Sequence, residues 1–165
     1  MFTRRKFMES TAATLVLLNL PFVARGSHHE LAEKLKQTNL IYVTPIRTDG
    51  KESRCQAEIW FAADGTDMYV CTGTGSWRAR APRKGLSKAR VWIGDLGNWR
   101  STGGRYRKLP SVEARVAIIE DRAEQDRVLA LFGDKYTAEW GSWGPRFRNG
   151  LDDGSRTMLR YRPES

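Results

Sequence analysis

Hydrophobic and polar positions along this chain change period several times, and each change marks an element. From His28 to Thr38 the apolar positions Leu31, Ala32 and Leu35 recur at helical spacing, which predicts a short amphipathic helix. Leu40 to Ile46 is rich in β-branched and aromatic residues and stops at Thr48-Asp49-Gly50, a strand followed by a turn. Ser53 to Ala62 then alternates, with Cys55, Ala57, Ile59 and Phe61 facing one way and Arg54, Gln56, Glu58 and Trp60 the other. Asp64-Gly65 reverses the chain again, and Met68 to Thr72 returns as a strand. Two hairpins with Asp-Gly turns therefore predict a three-stranded antiparallel meander.

Thr72-Gly73-Thr74-Gly75-Ser76 breaks this regularity, and Trp77 to Lys88 reads as basic and irregular. Ala89 to Gly94 predicts a further strand, and Trp99 to Lys108 a hairpin around Thr102-Gly103-Gly104. Val112 to Ile119 alternates as a strand. Glu120 to Phe132 is helical, with Ala123, Val128, Leu129 and Leu131 available for packing. Tyr136 to Phe147 reads as a second helical segment carrying Trp140 and Trp143, and Ser155 to Tyr161 as a closing strand. Six or seven short antiparallel strands with late helices point to a mainly β fold, a small barrel with helical decorations.

The first residues follow a different logic. Met1-Phe2-Thr3-Arg4-Arg5-Lys6-Phe7-Met8 is a charged start, and a mostly apolar run from Thr11 to Val23 follows it. With the small-residue exit Ala24-Arg25-Gly26-Ser27, this is the three-part layout of a secretory signal. The paired arginines before Phe7 and Met8 resemble the twin-arginine signal, an address read by a translocase rather than an anchor. The run includes Asn19 and Pro21 and is shorter than the roughly twenty apolar residues of a spanning helix. The expected division is a signal over 1–26 and one folded domain over 27–165, in the periplasm or outside the cell.

Charge changes the picture next. The chain has 28 Lys+Arg and 19 Asp+Glu; the signal takes four and one of these, leaving 24 against 18, a net +6. The positives gather around Trp77 to Arg90 and Trp99 to Lys108. No nucleic-acid recognition motif accompanies them, and an exported protein rarely meets nucleic acid, so none is expected as a partner. Charge alone leaves two readings, a site for a phosphorylated small molecule or a solvated basic surface. The only cysteines, Cys55 and Cys71, fall out of register for a bridge across the Asp64-Gly65 hairpin, and two unbridged buried thiols are expected. The two histidines, His28 and His29, sit together near the signal exit, which removes Ser-His-Asp, Cys-His and histidine-metal chemistry from the rest of the chain.

The segment from Thr72 to Arg80 carries the most chemistry. Glycines there let a backbone approach a ligand closely, while Thr72, Thr74, Ser76, Arg78 and Arg80 offer donors suited to phosphate oxygens. It has neither the P-loop nor the dinucleotide glycine pattern. Composition does not separate this reading from that of a polar connecting loop.

The order of parts adds to it. Ile59-Trp60-Phe61, the Asp64-Gly65 turn, Thr72, Gly75-Ser76 and Arg78, with the ending Trp143-Gly144-Pro145-Arg146 to Leu159-Arg160-Tyr161, resemble the flavin- and deazaflavin-binding split β-barrel superfamily. Pyridoxamine phosphate oxidases and deazaflavin-dependent reductases belong to that group. The resemblance, to an uncharacterised branch, covers most of Thr38 to Pro163. It implies a six- to seven-stranded antiparallel split barrel, an FMN or deazaflavin coenzyme and a homodimer. The implied cofactor-binding residues are Trp60, Thr72, Gly75, Ser76, Arg78 and Arg80. Where the family commonly has Lys two residues after the Ser, this chain has Arg78. No catalytic group stands out; Tyr42, Tyr69, Tyr106 and Glu58 are candidates only as polar groups that could lie near a ring. The expected function is thus an exported flavin- or deazaflavin-dependent oxidoreductase. The alternatives are a split-barrel protein that holds a flavin, haem or other planar ligand without turnover, and a cofactor-free interaction module.

Overall fold

The computed structural model describes residues 25–164. The signal expected over 1–26 lies outside the described residues apart from Arg25 and Gly26, which begin helix α1 (Arg25–Lys36). Seven strands follow: β1 (Leu40–Pro45), β2 (Ala57–Trp60), β3 (Ala62–Asp64), β4 (Asp67–Gly73), β5 (Lys88–Ile93), β6 (Ser111–Ile119) and β7 (Arg156–Pro163). Helix α2 (Trp77–Arg83) precedes β5, and α3 (Arg122–Lys135) and α4 (Thr137–Asp152) precede β7. The strands form one antiparallel sheet in the order β2-β1-β5-β6-β7-β4-β3.

The two ends of that order are neighbours in the chain. Only Phe61 separates β2 from β3. The first half of the segment pairs with β1, from Val43↔Ala57 to Leu40↔Trp60, and the second with β4, from Ala62↔Tyr69 to Asp64↔Asp67. One bent strand therefore closes the sheet into a mainly β, nearly closed barrel. No ladder joins β2 to β4 among the described residues, so a seam runs between them beyond Phe61.

At this bend a ladder cannot serve the Phe61 backbone. The Tyr136 hydroxyl does so instead, accepting from the Phe61 N–H at 3.1 Å and lying 3.0 Å from the Phe61 carbonyl and 2.8 Å from that of Asn39. Burial pushes the ionisation of this phenol well above its ordinary range, so it stays a neutral donor and acceptor.

Strand alternation sorts side chains between inside and outside. Ile41, Val43, Phe61, Met68, Val70, Val91, Leu159 and Tyr161 fill the barrel, with Leu35 of α1 among them. Each such side chain stabilises the fold by about 1.5–3 kcal/mol relative to leaving it in water. The alternate residues Ala62, Tyr69, Cys71 and Met158 face outward, where Val128, Leu129 and Phe132 of α3 and Phe147 of α4 cover them. A third cluster, Tyr42, Trp92 and Tyr106, lies under the loop after β5.

Several expected elements take another form. The strand expected from Ser53 begins only at Ala57, because the Thr44 hydroxyl (3.1 Å) and the Gln56 amide (2.8 Å) take the Ser53 carbonyl out of ladder pairing. Trp77 to Lys88 is not irregular: Ser76 caps α2, its hydroxyl accepting from the Ala79 N–H at 3.3 Å, and Ala79 and Ala81 are buried. Trp99 to Lys108 is no hairpin. Gly103 and Gly104 have φ of 58° and 82°, a short 3₁₀ turn follows, and Tyr106 stacks on Tyr42 with ring centres 5.1 Å apart. Both Asp-Gly turns form as expected, with Gly50 and Gly65 at φ of 76° and 59°.

Lys135, at the end of α3, ties the helical layer to α1. Its ammonium donates to the Leu35 carbonyl at 3.3 Å and sits 3.4 Å from the centre of the Phe61 ring. Burial lowers its pKa from 10.5 to about 8, while the carbonyl and the ring face hold the charged form. The unfolded chain keeps this proton up to pH 10.5 and the folded chain loses it near 8, so this group makes stability rise with pH across that window. The denaturation midpoint of Lys135→Met, compared with wild type at each pH, should lack that rise; parallel pH curves would show that the lysine is fully solvated.

Candidate functional site

The seam opens into a cavity of about 390 Å³. Glu58, Ile59 and Trp60 of β2 form one wall, and Cys71, Thr72 and Gly73 of β4 the other. Arg78 enters from α2, Arg156 from the start of β7, and Trp143 and Phe147 from α4. Because β2 and β4 do not pair, their facing backbone edges also border the space.

Each charged group has a distinct environment. The Arg78 Nε donates to the Thr72 hydroxyl at 2.9 Å, and Thr72 and Ser76 hydroxyls lie 3.4 Å apart. The Arg156 guanidinium lies 5.0 Å from the Phe147 ring centre and 5.9 Å from that of Trp143. Its stem crosses α4 at Gly150, where a Cβ would come within 2.6 Å of Arg156 Cγ, so glycine there is a requirement of the arginine's path. Arg90, Arg127 and Arg162 pair with Glu113, Asp64 and Asp67, whereas neither Arg78 nor Arg156 makes an ion pair among the described residues. Glu58 lines the same cavity but pairs with neither: its carboxylate accepts from the Asn98 side chain at 2.9 Å and the Trp99 N–H at 3.1 Å. Burial pushes the Cys71 thiol up to about 11, against the pull of Arg156.

The aromatic wall is held from behind. Trp60 stacks on Tyr136 with ring centres 4.5 Å apart and planes 8° from parallel, and Trp143 meets Trp60 edge-on at 5.8 Å. The arrangement pairs a flat apolar wall with two arginines outside any ion pair and one carboxylate, a net positive lining that suits a planar molecule bearing an anionic group.

Of the six residues singled out in the sequence, Trp60, Thr72 and Arg78 line this cavity. Ser76 stands behind them as the cap of α2, and Gly75 and Arg80 lie outside the lining. Arg78 and Arg80 are two residues apart on a helix, about 200° around its axis, so their side chains leave α2 on opposite sides. Arg80 is exposed and lies 5.7 Å from the Trp77 ring centre. Ser76→Ala should destabilise the protein by about 1 kcal/mol through the lost cap, read by chemical denaturation, and loosen Arg78; unchanged stability would mean the cap contributes nothing. Trp143, Phe147 and Arg156 were not legible as site residues. The only local signal near Arg156 is the Asp153-Gly154-Ser155 turn that starts β7.

Neither Cys55 nor Cys71 is bridged; Cys71 is buried and Cys55 only half-buried. Tyr42 and Tyr106 belong to the cluster under the loop after β5, where the Tyr42 hydroxyl donates to the Gly97 carbonyl and accepts from the Leu96 N–H. Tyr69 faces α3, its hydroxyl 3.3 Å from Glu124. Among these four candidates only Glu58 borders the cavity.

No protein-family model and no curated protein matches the sequence. Solved structures do match the fold. One is a Clostridium acetobutylicum protein related to general stress protein 26 of B. subtilis, of the pyridoxinephosphate oxidase family. It is 17% identical, with 86% of this chain and 87% of that one covered at a TM-score of 0.54. HutZ, the heme storage protein of Vibrio cholerae, is 12% identical, covering 82% of this chain and 89% of its own at 0.57. A Listeria innocua protein ascribed to pyridoxamine 5'-phosphate oxidase is 16% identical, covering 84% and 94% at 0.55. The fold is therefore the split β-barrel of the pyridoxamine 5'-phosphate oxidase-like proteins. At these identities the likeness concerns architecture, and function has to be argued from the site.

Proposed function

We propose that this protein binds a phosphorylated planar redox cofactor, FMN or a deazaflavin coenzyme, in the seam cavity and acts as an oxidoreductase. The observation that carries this reading is the pair of half-buried, unpaired guanidinium groups, Arg78 and Arg156, facing the wall of Trp60, Trp143 and Phe147. A cavity of about 390 Å³ falls within the usual size of small-molecule sites. A flavin-type ring, when bound, supplies hydride chemistry, and the protein's part is binding and orientation. Arg78, oriented by Thr72, would take a phosphate; Trp60 and Trp143 would hold the ring and keep water from one side of it.

A haem reading draws on HutZ but fits this chain less well. Both histidines lie exposed on α1, so no imidazole reaches the cavity, and the raised Cys71 thiol is far from thiolate at neutral pH. The visible absorption spectrum of protein purified from a host that makes both flavins and deazaflavins tests the proposal. A flavin- or deazaflavin-like band supports it. A colourless, folded protein that takes up neither cofactor on addition overturns it.

Export through the twin-arginine translocase, to the periplasm or beyond, and assembly as a homodimer complete the proposal. The first is supported by the Arg4-Arg5 opening and the second by the split-barrel resemblance alone. Replacing Arg4 and Arg5 together by Lys should retain the protein in the cytoplasmic fraction; unaltered export would rule that route out. Sedimentation of the purified protein reads the dimer directly, and a monomer at micromolar concentration would end that part of the reading.

A further inference from the structure

Arg156 lines a second space as well. A cleft of about 250 Å³ lies among the ends of β6, α4 and α2, bordered by Thr74, Arg83, Gln125, Arg156 and Thr157, with Glu120 also among its lining residues. We propose that this cleft is a second binding site, for a small oxyanion such as a carboxylate or phosphate group, and that Arg156 couples it to the seam.

The side chains are positioned for this before any ligand arrives. Arg83, in the last turn of α2, donates from one terminal nitrogen to the Ala79 carbonyl at 3.1 Å and from the other to the Thr157 hydroxyl at 3.5 Å. Thr74 donates to the Gly154 carbonyl at 2.7 Å and lies 2.9 Å from the Thr157 hydroxyl. With the Thr74 proton committed, Thr157 donates to Thr74 and keeps a lone pair for Arg83. The hydroxyl chain thus serves to aim a guanidinium, and the remaining N–H groups of Arg83 and Arg156 are left as donors.

Neither arginine is matched by a carboxylate: no ion pair of Arg83 or Arg156 exists among the described residues, although fourteen such contacts occur elsewhere between 25 and 164. The Gln125 amide donates to the Ile119 carbonyl at 3.0 Å, which leaves its oxygen free and its place fixed. Glu120 is exposed and disfavours highly charged anions, so the site suits a single carboxylate or phosphate group rather than a polyphosphate.

The site stands on these residues, whereas its coupling to the seam rests on the reading of the seam as an anion site. Filling either space draws the one Arg156 side chain toward it, so the two anions would compete for that donor. The other two arginines are not shared: Arg78 borders the seam and not the cleft, and Arg83 the cleft and not the seam.

Binding of inorganic phosphate, and separately of acetate, to the full chain by titration calorimetry tests the proposal. The expected result is that Arg83→Gln weakens one class of site at least tenfold while Arg78→Gln leaves that class intact. Arg83→Lys, which keeps the charge, guards against a folding defect, and should retain part of the affinity. Arg80→Gln on the same helix removes a charge outside the cleft and should change nothing. Glu120→Gln should strengthen binding. Response to phosphate alone identifies a phosphate ligand, and response to both anions a general carboxylate or phosphate site. Equal losses in Arg80→Gln and Arg83→Gln would reduce the effect to diffuse charge and overturn the site. So would an Arg83→Gln protein that binds both anions like wild type. Loss in Arg78→Gln only would leave the seam standing and the cleft refuted.

Discussion

Arg78→Gln should lower the affinity for a phosphorylated planar ligand by about ten- to a hundred-fold, the equivalent of one charge-assisted hydrogen bond of about 1.5–3 kcal/mol. Quenching of tryptophan fluorescence during titration with FMN is a direct measurement, because Trp60 and Trp143 both line the cavity. Arg156→Gln should have a similar effect. The double variant loses less than the two losses combined where both groups serve one anion. Arg80→Gln should leave affinity unchanged, since its guanidinium lies at the Trp77 ring on the exposed side of α2. Equal affinity in Arg78→Gln and wild type would remove the seam as the phosphate site. A selective loss in Arg80→Gln would show that α2 turns on binding.

Tyr136→Phe tests the closure of the barrel rather than its ligand. The substitution keeps the ring that stacks on Trp60 and removes only the hydroxyl, which leaves the buried Phe61 N–H and carbonyl without their partner. The expected loss is about 2–3 kcal/mol, the cost of orphaned buried polar groups, read from chemical denaturation. Exchange of the Phe61 amide hydrogen should accelerate with it, because the bend is where the two edges of the sheet meet. A variant as stable as wild type would mean that water replaces the hydroxyl and that the seam is already wet at this point. Ligand affinity should fall less than stability does, since the aromatic wall survives.

Local patterns made much of the barrel legible. The Asp49-Gly50 and Asp64-Gly65 turns, with alternation from Leu40 to Thr72, specify two hairpins because each signal spans only a few residues. Val128 and Leu129 show the packed face of α3 for the same reason, at helical rather than strand spacing. The grouping of Thr72, Ser76 and Arg78 was legible too, since the three are close in the chain and meet through one short helix cap. Arg80 falls outside the cavity lining because Trp77 to Arg83 forms a helix rather than an irregular segment, and helical rotation sends the two arginines apart.

Tertiary structure decided the rest. Nothing local says that Phe61 ends one ladder and opens another, because that depends on where β1 and β4 lie around the barrel. Nor does any short-range pattern join Arg156, Trp143 and Phe147 to Trp60 and Cys71 across a seam. The loop after β5 looked like a hairpin until Tyr106 found Tyr42, more than sixty positions earlier in the chain. The sequence by itself determined the hairpins, the helical faces and the grouping of Thr72, Ser76 and Arg78, because backbone preference and side-chain period act over a few residues. Closure of the barrel, and with it the cavity that closure leaves open, came only from packing between segments far apart in the chain, where burial and hydrogen-bond satisfaction are settled jointly.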